Sequence, residues 1–183
     1  LWQNTVVFAM GDNGLLCGTK GLRGKVFPWE ESIRVPLIAA GGPVKACEPL
    51  DAPVASIDLP ATWLDLAGGS PISGLAGRSL RSYLEHGKGD FEAAYAAWDD
   101  AELEAGEGMR AVPYRLARGH RYKYVVWETG RQALYDWQAD PGEKRSVIRE
   151  QEAARALADL RERLLDRMNR LHDHAREWPG IKA

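Results

Sequence analysis

The apolar positions change period along the chain, and each period predicts a different kind of element. Residues Thr5 to Met10 (TVVFAM) form an unbroken apolar run rich in β-branched side chains and followed at once by Gly-Asp-Asn-Gly. That pattern predicts a strand buried on both faces, of the kind found in α/β sheets. Val35 to Ala40 (VPLIAA), closed by Gly41, Gly42 and Pro43, predicts a second such strand. The loop between them has glycines at 11, 14, 18, 21 and 24, too many for a helix. Ile57 to Ala67 (IDLPATWLDLA) predicts a helix with Asp58 as N-cap, Pro60 in the first turn and Gly68 just past the end.

After about Arg78 the pattern shortens and becomes aromatic. Residues 93–98, 109–118, 121–128 and 132–137 predict an antiparallel meander, with Arg118-Gly119-His120 joining the middle pair. Alternation places Tyr122, Tyr124 and Val126 on one face and Lys123, Val125 and Trp127 on the other. Asp140-Pro141-Gly142-Glu143 reads as a turn. Between Glu150 and His172, Leu157, Leu160, Leu164, Met168 and Leu171 recur at spacings of three and four, while Asp159/Arg163 and Asp166/Arg170 pair on the outer side. This is the signature of an amphipathic helix covering one side of a small sheet. The expected fold class is therefore α/β, with residues 1–80 forming a sheet-based region and residues 81–183 a small antiparallel sheet packed on a terminal helix.

Composition narrows the function classes. At 183 residues and 45% apolar content the chain can bury a core. Its 24 basic and 26 acidic residues balance to a net charge of −2, which gives no basic field for nucleic acid. No apolar run approaches the roughly 18 to 20 residues that cross a bilayer, so neither nucleic acid nor membrane is an expected partner. Cys17 and Cys47 have no metal-ligand spacing and read as two free thiols. His86, His120, His172 and His174 read as surface residues. Trp29, Trp63, Trp98, Trp127 and Trp137 read as core rather than as a glycan platform. The chain opens on Leu1, close to a strongly apolar stretch, which reads as a start in mid-fold.

Candidate chemistry gathers near the first strand. Ligands in open α/β sheets collect beyond the carboxyl ends of strands, where Asp12 and Asn13 stand. A carboxylate and an amide oxygen suit a hard divalent cation, although Asp-Asn-Gly also serves simply to end a strand in a turn. Lys20, Arg23 and Lys25 lie among glycines that let backbone approach a ligand closely, a composition suited to an anionic oxyacid and equally to a solvated basic loop.

The ordered set NTVVFAMGDNG, GLRGKVFPWEESIRVPLIAAGGP, VASIDLPATWLDLAG, GRSL, RYKYVVWE and ALYDWQADPGE, followed by an amphipathic helix, resembles the C-terminal half of the sulfatases. These belong to the alkaline phosphatase superfamily. The resemblance implies that Asp12 and Asn13 match the family's Asp-Asn pair, two ligands of a divalent cation that is usually Ca²⁺, with Mg²⁺ or Mn²⁺ as alternatives. It implies that Lys25 of GKVFPWEE is the catalytic and substrate-binding lysine on the sulfate oxygens, with Lys20 the second substrate-binding candidate. Arg34 and Pro36 match a structural Arg-Val-Pro step. The substrate implied is a small-molecule or glycan sulfate ester.

The family's nucleophile, a formylglycine made from Cys-x-Pro-x-Arg or Ser-x-Pro-x-Arg, has no counterpart here, since neither CGTKG nor CEPLD has that context. The chain alone is therefore expected to be inactive and to need an N-terminal half, or to oligomerise through uncovered strands. Two rivals stand beside the sulfatase reading: a phosphonate or phosphate ester hydrolase of the same superfamily, and a truncated, non-catalytic interaction module.

Overall fold

A computed structural model of the chain describes residues 1–100 and 111–182. They fall into two compact units, one formed by Leu1–Asp12 with Val35–Glu92 and the other by Asn13–Arg34 with the residues from Ala93 onward. The Gly-rich basic loop thus groups with the small sheet rather than with residues 35–80.

In the first unit, β1 (Val7–Met10) pairs antiparallel with β4 (Leu37–Ala40), in the register Val7 to Ala40 and Met10 to Leu37. Both strands occur where the apolar runs predict them, but neither is buried on both faces. Val7 is 47% exposed and Ile38 62% exposed. Phe8 and Leu37 pack against a core of Leu59, Leu80 and Phe91, whereas the described residues leave the other face of the pair uncovered. The predicted helix is a 3-10 turn over Ser56–Asp58 that leads into α2 (Leu59–Leu66). Pro60 sits in its first turn, and Gly68 follows its end at φ +73°.

Asp58 does not cap α2 with its side chain. Its carboxylate is buried and accepts instead from the Ala55 and Arg78 backbone N–H groups, both at 2.9 Å. Thr62 Oγ1 donates to the Asp58 carbonyl and accepts from Leu80 N–H, fastening the chain that leads to α3 (Arg81–His86). Trp63, expected in a core, is 53% exposed.

The second unit is built on the predicted meander: β5 (Ala94–Trp98), β6 (Tyr114–Arg118), β7 (Tyr122–Trp127) and β8 (Gln132–Asp136), antiparallel in that spatial order. Residues 109 and 110 of the expected second strand lie outside the described residues. Tyr124, Val125 and Val126 are wholly buried, because each face of β7 has its own cover. On the Tyr124 face lies α4 (Ala154–Arg170), which contributes Leu160, Leu164 and Met168. Burying each of these side chains is worth about 1.5–3 kcal/mol. Leu171, expected on the same stripe, falls just beyond α4 and is exposed. The outward pairs form as expected, at 2.8 Å for Asp159/Arg163 and 3.1 Å for Asp166/Arg170.

Ala175 in a 3-10 turn (His174–Glu177), Trp178 just after it and Ile181 in α5 (Pro179–Lys182) complete this core. No sequence period announces that segment. On the Val125 face lie Ile33 and Trp98, with the loop of residues 13–34 beyond. That loop is not featureless: β2 (Leu16–Cys17) pairs with β3 (Arg23–Gly24), and α1 (Glu30–Ile33) closes it.

A buried arginine holds the end of α4 to the sheet. Arg115 on β6 donates to both carboxylate oxygens of Asp173, at 2.6 and 2.9 Å, and to Asp99 at 2.7 Å. Burial alone would raise the Asp173 carboxyl, but the hydrogen bonds from Arg115 and from Ala175 N–H outweigh it and hold the pKa below the usual range. Asp136 is likewise lowered, chiefly by hydrogen bonds from Arg121. A carboxyl with a depressed folded-state pKa binds fewer protons folded than unfolded. Its stabilisation is complete above its unfolded value of about 4 and is lost as pH falls through the folded value. Stability of the second unit is therefore expected to drop in acid below about pH 4. Asp173→Asn should flatten that acid limb in urea melts taken from pH 7 to pH 2; an unchanged slope would exclude Asp173 from the acid response.

Candidate functional site

The four candidate residues sit on three pieces of backbone. Asp12 ends the segment that leaves β1 and belongs to the first unit, while Asn13, its peptide neighbour, opens the second. Lys20 lies in a 3-10 turn between β2 and β3, and Lys25 follows β3 directly.

Gly14 shapes the start of this loop. Its N–H donates to the Ser32 carbonyl at 2.9 Å, and a Cβ at this position would stand 2.0 Å from the Glu31 carbonyl oxygen. Only glycine lets the chain after Asp-Asn run this close to α1. The Asn13 side chain is held by donation from Nδ2 to the Gly14 carbonyl at 2.8 Å, which leaves Oδ1 turned toward Lys25. Lys25 Nζ stands 3.4 Å from that oxygen, at the long end of hydrogen-bond distance. The DNG and GK motifs, far apart in local pattern, are thus brought together.

Lys20 is placed elsewhere. Its ammonium donates to the carbonyls of Gly142 and Glu143 at 2.6 and 2.8 Å and lies 5.3 Å from the centre of the Trp29 ring. It ties the basic loop to the Asp140–Glu143 turn, with two of its three N–H donors spent on backbone carbonyls.

The segment after Lys25 is buried and strained. Val26 has φ +74°, a region that a β-branched residue seldom adopts. Val26 and Phe27 are buried with Leu16 and Ala111. Phe27 N–H donates to Ser32 Oγ, and the Tyr114 hydroxyl donates to the Phe27 carbonyl, each at 3.3 Å.

Beyond it lies a cluster of charges that alternation alone did not reveal. Lys123 on β7 is fully buried on the Val125 face. Its ammonium is paired with Glu143 and stands 3.2 Å from Glu30 Oε1, while Arg118 reaches Glu30 Oε2 at 3.4 Å. Glu143 also accepts from the Glu30 N–H at 2.7 Å. Burial pushes the Glu143 carboxyl above its ordinary range, against the opposing pull of Lys123 and that N–H. The signal was a lysine at an inward-facing position of a central strand, since such a lysine requires carboxylate partners.

Asp12 and Asn13 offer one carboxylate and one amide oxygen, hard donors that fit Ca²⁺, Mg²⁺ or Mn²⁺ in kind. Two such oxygens would be part of the six to eight that calcium takes. Among the described residues no cluster of three or more His, Cys, Asp or Glu forms a metal cage by itself. The four histidines and both cysteines are exposed. A cleft of about 530 Å³ in the first unit is lined by Phe8, Trp63, Arg81 and Glu85 among others, and contains none of the candidate residues.

Residues 18–170 match the family model described as N-sulphoglucosamine sulphohydrolase, C-terminal. The chain belongs to this sulfatase family. It is 30% identical over 179 residues to a Δ4,5-hexuronate-2-O-sulfatase of Bacteroides thetaiotaomicron, a match that covers 95% of this chain and 37% of that protein. Among solved structures, a protein in complex with its substrate D-glucosamine-2-N,6-O-disulfate superposes with a TM-score of 0.78 at 25% identity, over 99% of this chain and 37% of the other. A phosphonate monoester hydrolase from Silicibacter pomeroyi superposes with a TM-score of 0.73 at 25% identity, over 94% and 36%. The chain therefore has the C-terminal part of the alkaline-phosphatase-like α/β fold and spans a little over a third of the length of these sulfatase relatives.

Gly14→Ala tests the local geometry of this family loop. The added methyl must displace α1 or the Asn13 segment, at a cost of about 1–3 kcal/mol. A urea melt should report that loss; a variant as stable as the wild type would show that the close approach of Gly14 to Glu31 is dispensable.

Proposed function

We propose that the full-length protein carrying this chain hydrolyses sulfate esters, with glycan sulfates as its substrate class, and that Asp12, Asn13 and Lys25 form this chain's share of the active site. The strongest support is that Lys25 and Asn13, matched to two different sulfatase motifs, lie 3.4 Å apart in a chain whose residues 18–170 fit a sulfatase family model. The glycan substrate class is supported by the relative and the substrate complex described above.

In this reading Asp12 and Asn13 hold one side of a divalent cation, Ca²⁺ by preference. When bound, that ion supplies Lewis-acid stabilisation of oxygen charge. The exposed Lys25 ammonium offsets negative charge that builds on the sulfate oxygens in the transition state, where a positioned donor is worth more than in water. Lys25 is exposed and follows Gly24, so its ammonium is open to an approaching ester. Lys20 fastens the loop from below. The nucleophile is a formylglycine contributed from outside these 183 residues, and the chain by itself is inactive.

A phosphonate monoester hydrolase is the second reading, favoured by the superposition on the Silicibacter enzyme. A lysine and a divalent cation serve phosphoryl oxygens by the same electrostatics.

The test is a steady-state assay of the full-length protein on aryl sulfate, sulfated disaccharide and aryl phosphonate monoester, with chelator and with calcium restored. Sulfate turnover that is lost to chelator and restored by calcium is expected. Lys25→Ala should lower kcat/KM about 10²-fold, the scale of one oxyanion donor. Preference for the phosphonate would favour the second reading. Unchanged turnover in Lys25→Ala would remove that residue from the site.

A further inference from the structure

Lys25 sits midway between two anchors that share one target. Five residues before it, Lys20 donates hydrogen bonds to the Gly142 and Glu143 carbonyls; five residues after it, the Glu30 N–H donates to the Glu143 carboxylate. The two ends of the segment 20–30 are therefore fastened to one turn on the far side of the sequence. We propose that the Gly142–Glu143 turn, with the buried Lys123 ammonium beneath it, is a clamp that positions Lys25, and that Glu143 and Lys123 are positioning residues for the reaction proposed above.

Three observations carry this beyond ordinary loop packing. Glu143 is only 2% exposed and has φ +47°, so a charged side chain is held inside the fold on backbone that favours glycine. Its two carboxylate oxygens are divided between the clamp's parts, one on Lys123 and the other on Glu30 N–H. Desolvating Lys123, Glu143 and Glu30 together makes the cluster a poor source of stability compared with apolar packing of the same volume.

What such a cluster supplies is a fixed geometry. The segment it fixes includes Val26, strained at φ +74° directly beside Lys25. Strained backbone persists only where its surroundings over-determine it. Here those surroundings are Ser32 Oγ on Phe27 N–H, the Tyr114 hydroxyl on the Phe27 carbonyl, and the clamp at both ends. An exposed lysine on a free loop would sweep a wide volume; closed on one turn, the loop delivers its ammonium beside Asn13. Displacement of a charge-stabilising group by about 1 Å can cost 10²-fold in rate, so the clamp acts on kcat through Lys25.

This inference rests on the proposed role of Lys25, and two measurements separate its failure from that of the reading. The first is a double-mutant cycle in the full-length protein on the sulfate ester. Glu143→Gln, which keeps an acceptor for Glu30 N–H but loses the charge, is expected to lower kcat about 10-fold with little change in KM, and Glu143→Ala more. In a Lys25→Ala background the same changes should cost nothing further, because a positioning residue has nothing left to position. Equal losses in both backgrounds would overturn the proposal, as would a fall in activity explained by unfolding of Glu143→Gln.

The second measurement is amide hydrogen exchange of the full-length protein, which requires no activity. Glu143→Gln and Lys123→Met should speed exchange at residues 26–34 at least 10-fold while β6 and α4 keep their protection. Uniform acceleration, or none, would overturn the clamp. If the wild type turns over neither sulfate nor phosphonate, the functional reading fails and the exchange pattern alone decides whether the turn holds this segment.

Discussion

An ammonium with no access to water has to be neutralised, and the second unit is arranged around that demand. Lys123 projects from the centre of β7, the strand covered on both faces, and it is fully buried. A lone charge there would cost several kcal/mol. Glu143 arrives from the turn after β8 and Glu30 from the short helix that closes the basic loop. Satisfying Lys123 therefore draws two segments far apart in sequence onto one face of the sheet. The apolar contacts of Ile33, Phe27 and Trp98 fill in around this polar centre. The opposite face needs no such device, since α4 covers it with Leu160, Leu164 and Met168.

The two units differ in how fully they cover their own strands. The meander has a complete core on one face and a polar-centred one on the other. The pair β1–β4 has Leu59, Leu80 and Phe91 to one side, while Val7, Met10 and Ile38 remain exposed. Isolated two-stranded ladders are marginal in water. A strand that bears a candidate cation ligand at its end thus draws little support from its own strand partner. The chain covers 37% of the length of its sulfatase relative, and the proposed active site is likewise a part of a larger one.

Much of this was legible in the sequence, for physical reasons that differ from element to element. α4 is readable because its burial is one-sided and therefore periodic, with Leu160, Leu164 and Met168 at helical spacing, whereas the meander is readable from short aromatic and β-branched stretches set between turns, although β7 is buried on both faces. The apolar runs locate β1 and β4 but overstate their burial, because hydrophobicity records what a strand can bury and not what covers it. Asp58 had the residue type of an N-cap, yet backbone N–H groups at Ala55 and Arg78 compete for the same oxygens and win. Trp63 and Leu171 lie at positions that periodicity assigns to a core and are exposed.

For the candidate site, the motif residues Asp12, Asn13 and Lys25 could be named in advance, whereas the partners that hold them could not. The bond from Lys20 to the Gly142 and Glu143 carbonyls spans more than a hundred residues, and no local pattern encodes it. The measurement that bears most directly on the account is a crystal structure of the full-length protein with calcium and a slowly turned-over sulfate ester. The account predicts Lys25 Nζ at about 2.7–3.2 Å from a sulfate oxygen, with Asp12 and Asn13 oxygens about 2.3–2.6 Å from the cation. A sulfate bound by other groups, with Lys25 in solvent and the cation held without Asp12 and Asn13, would contradict it.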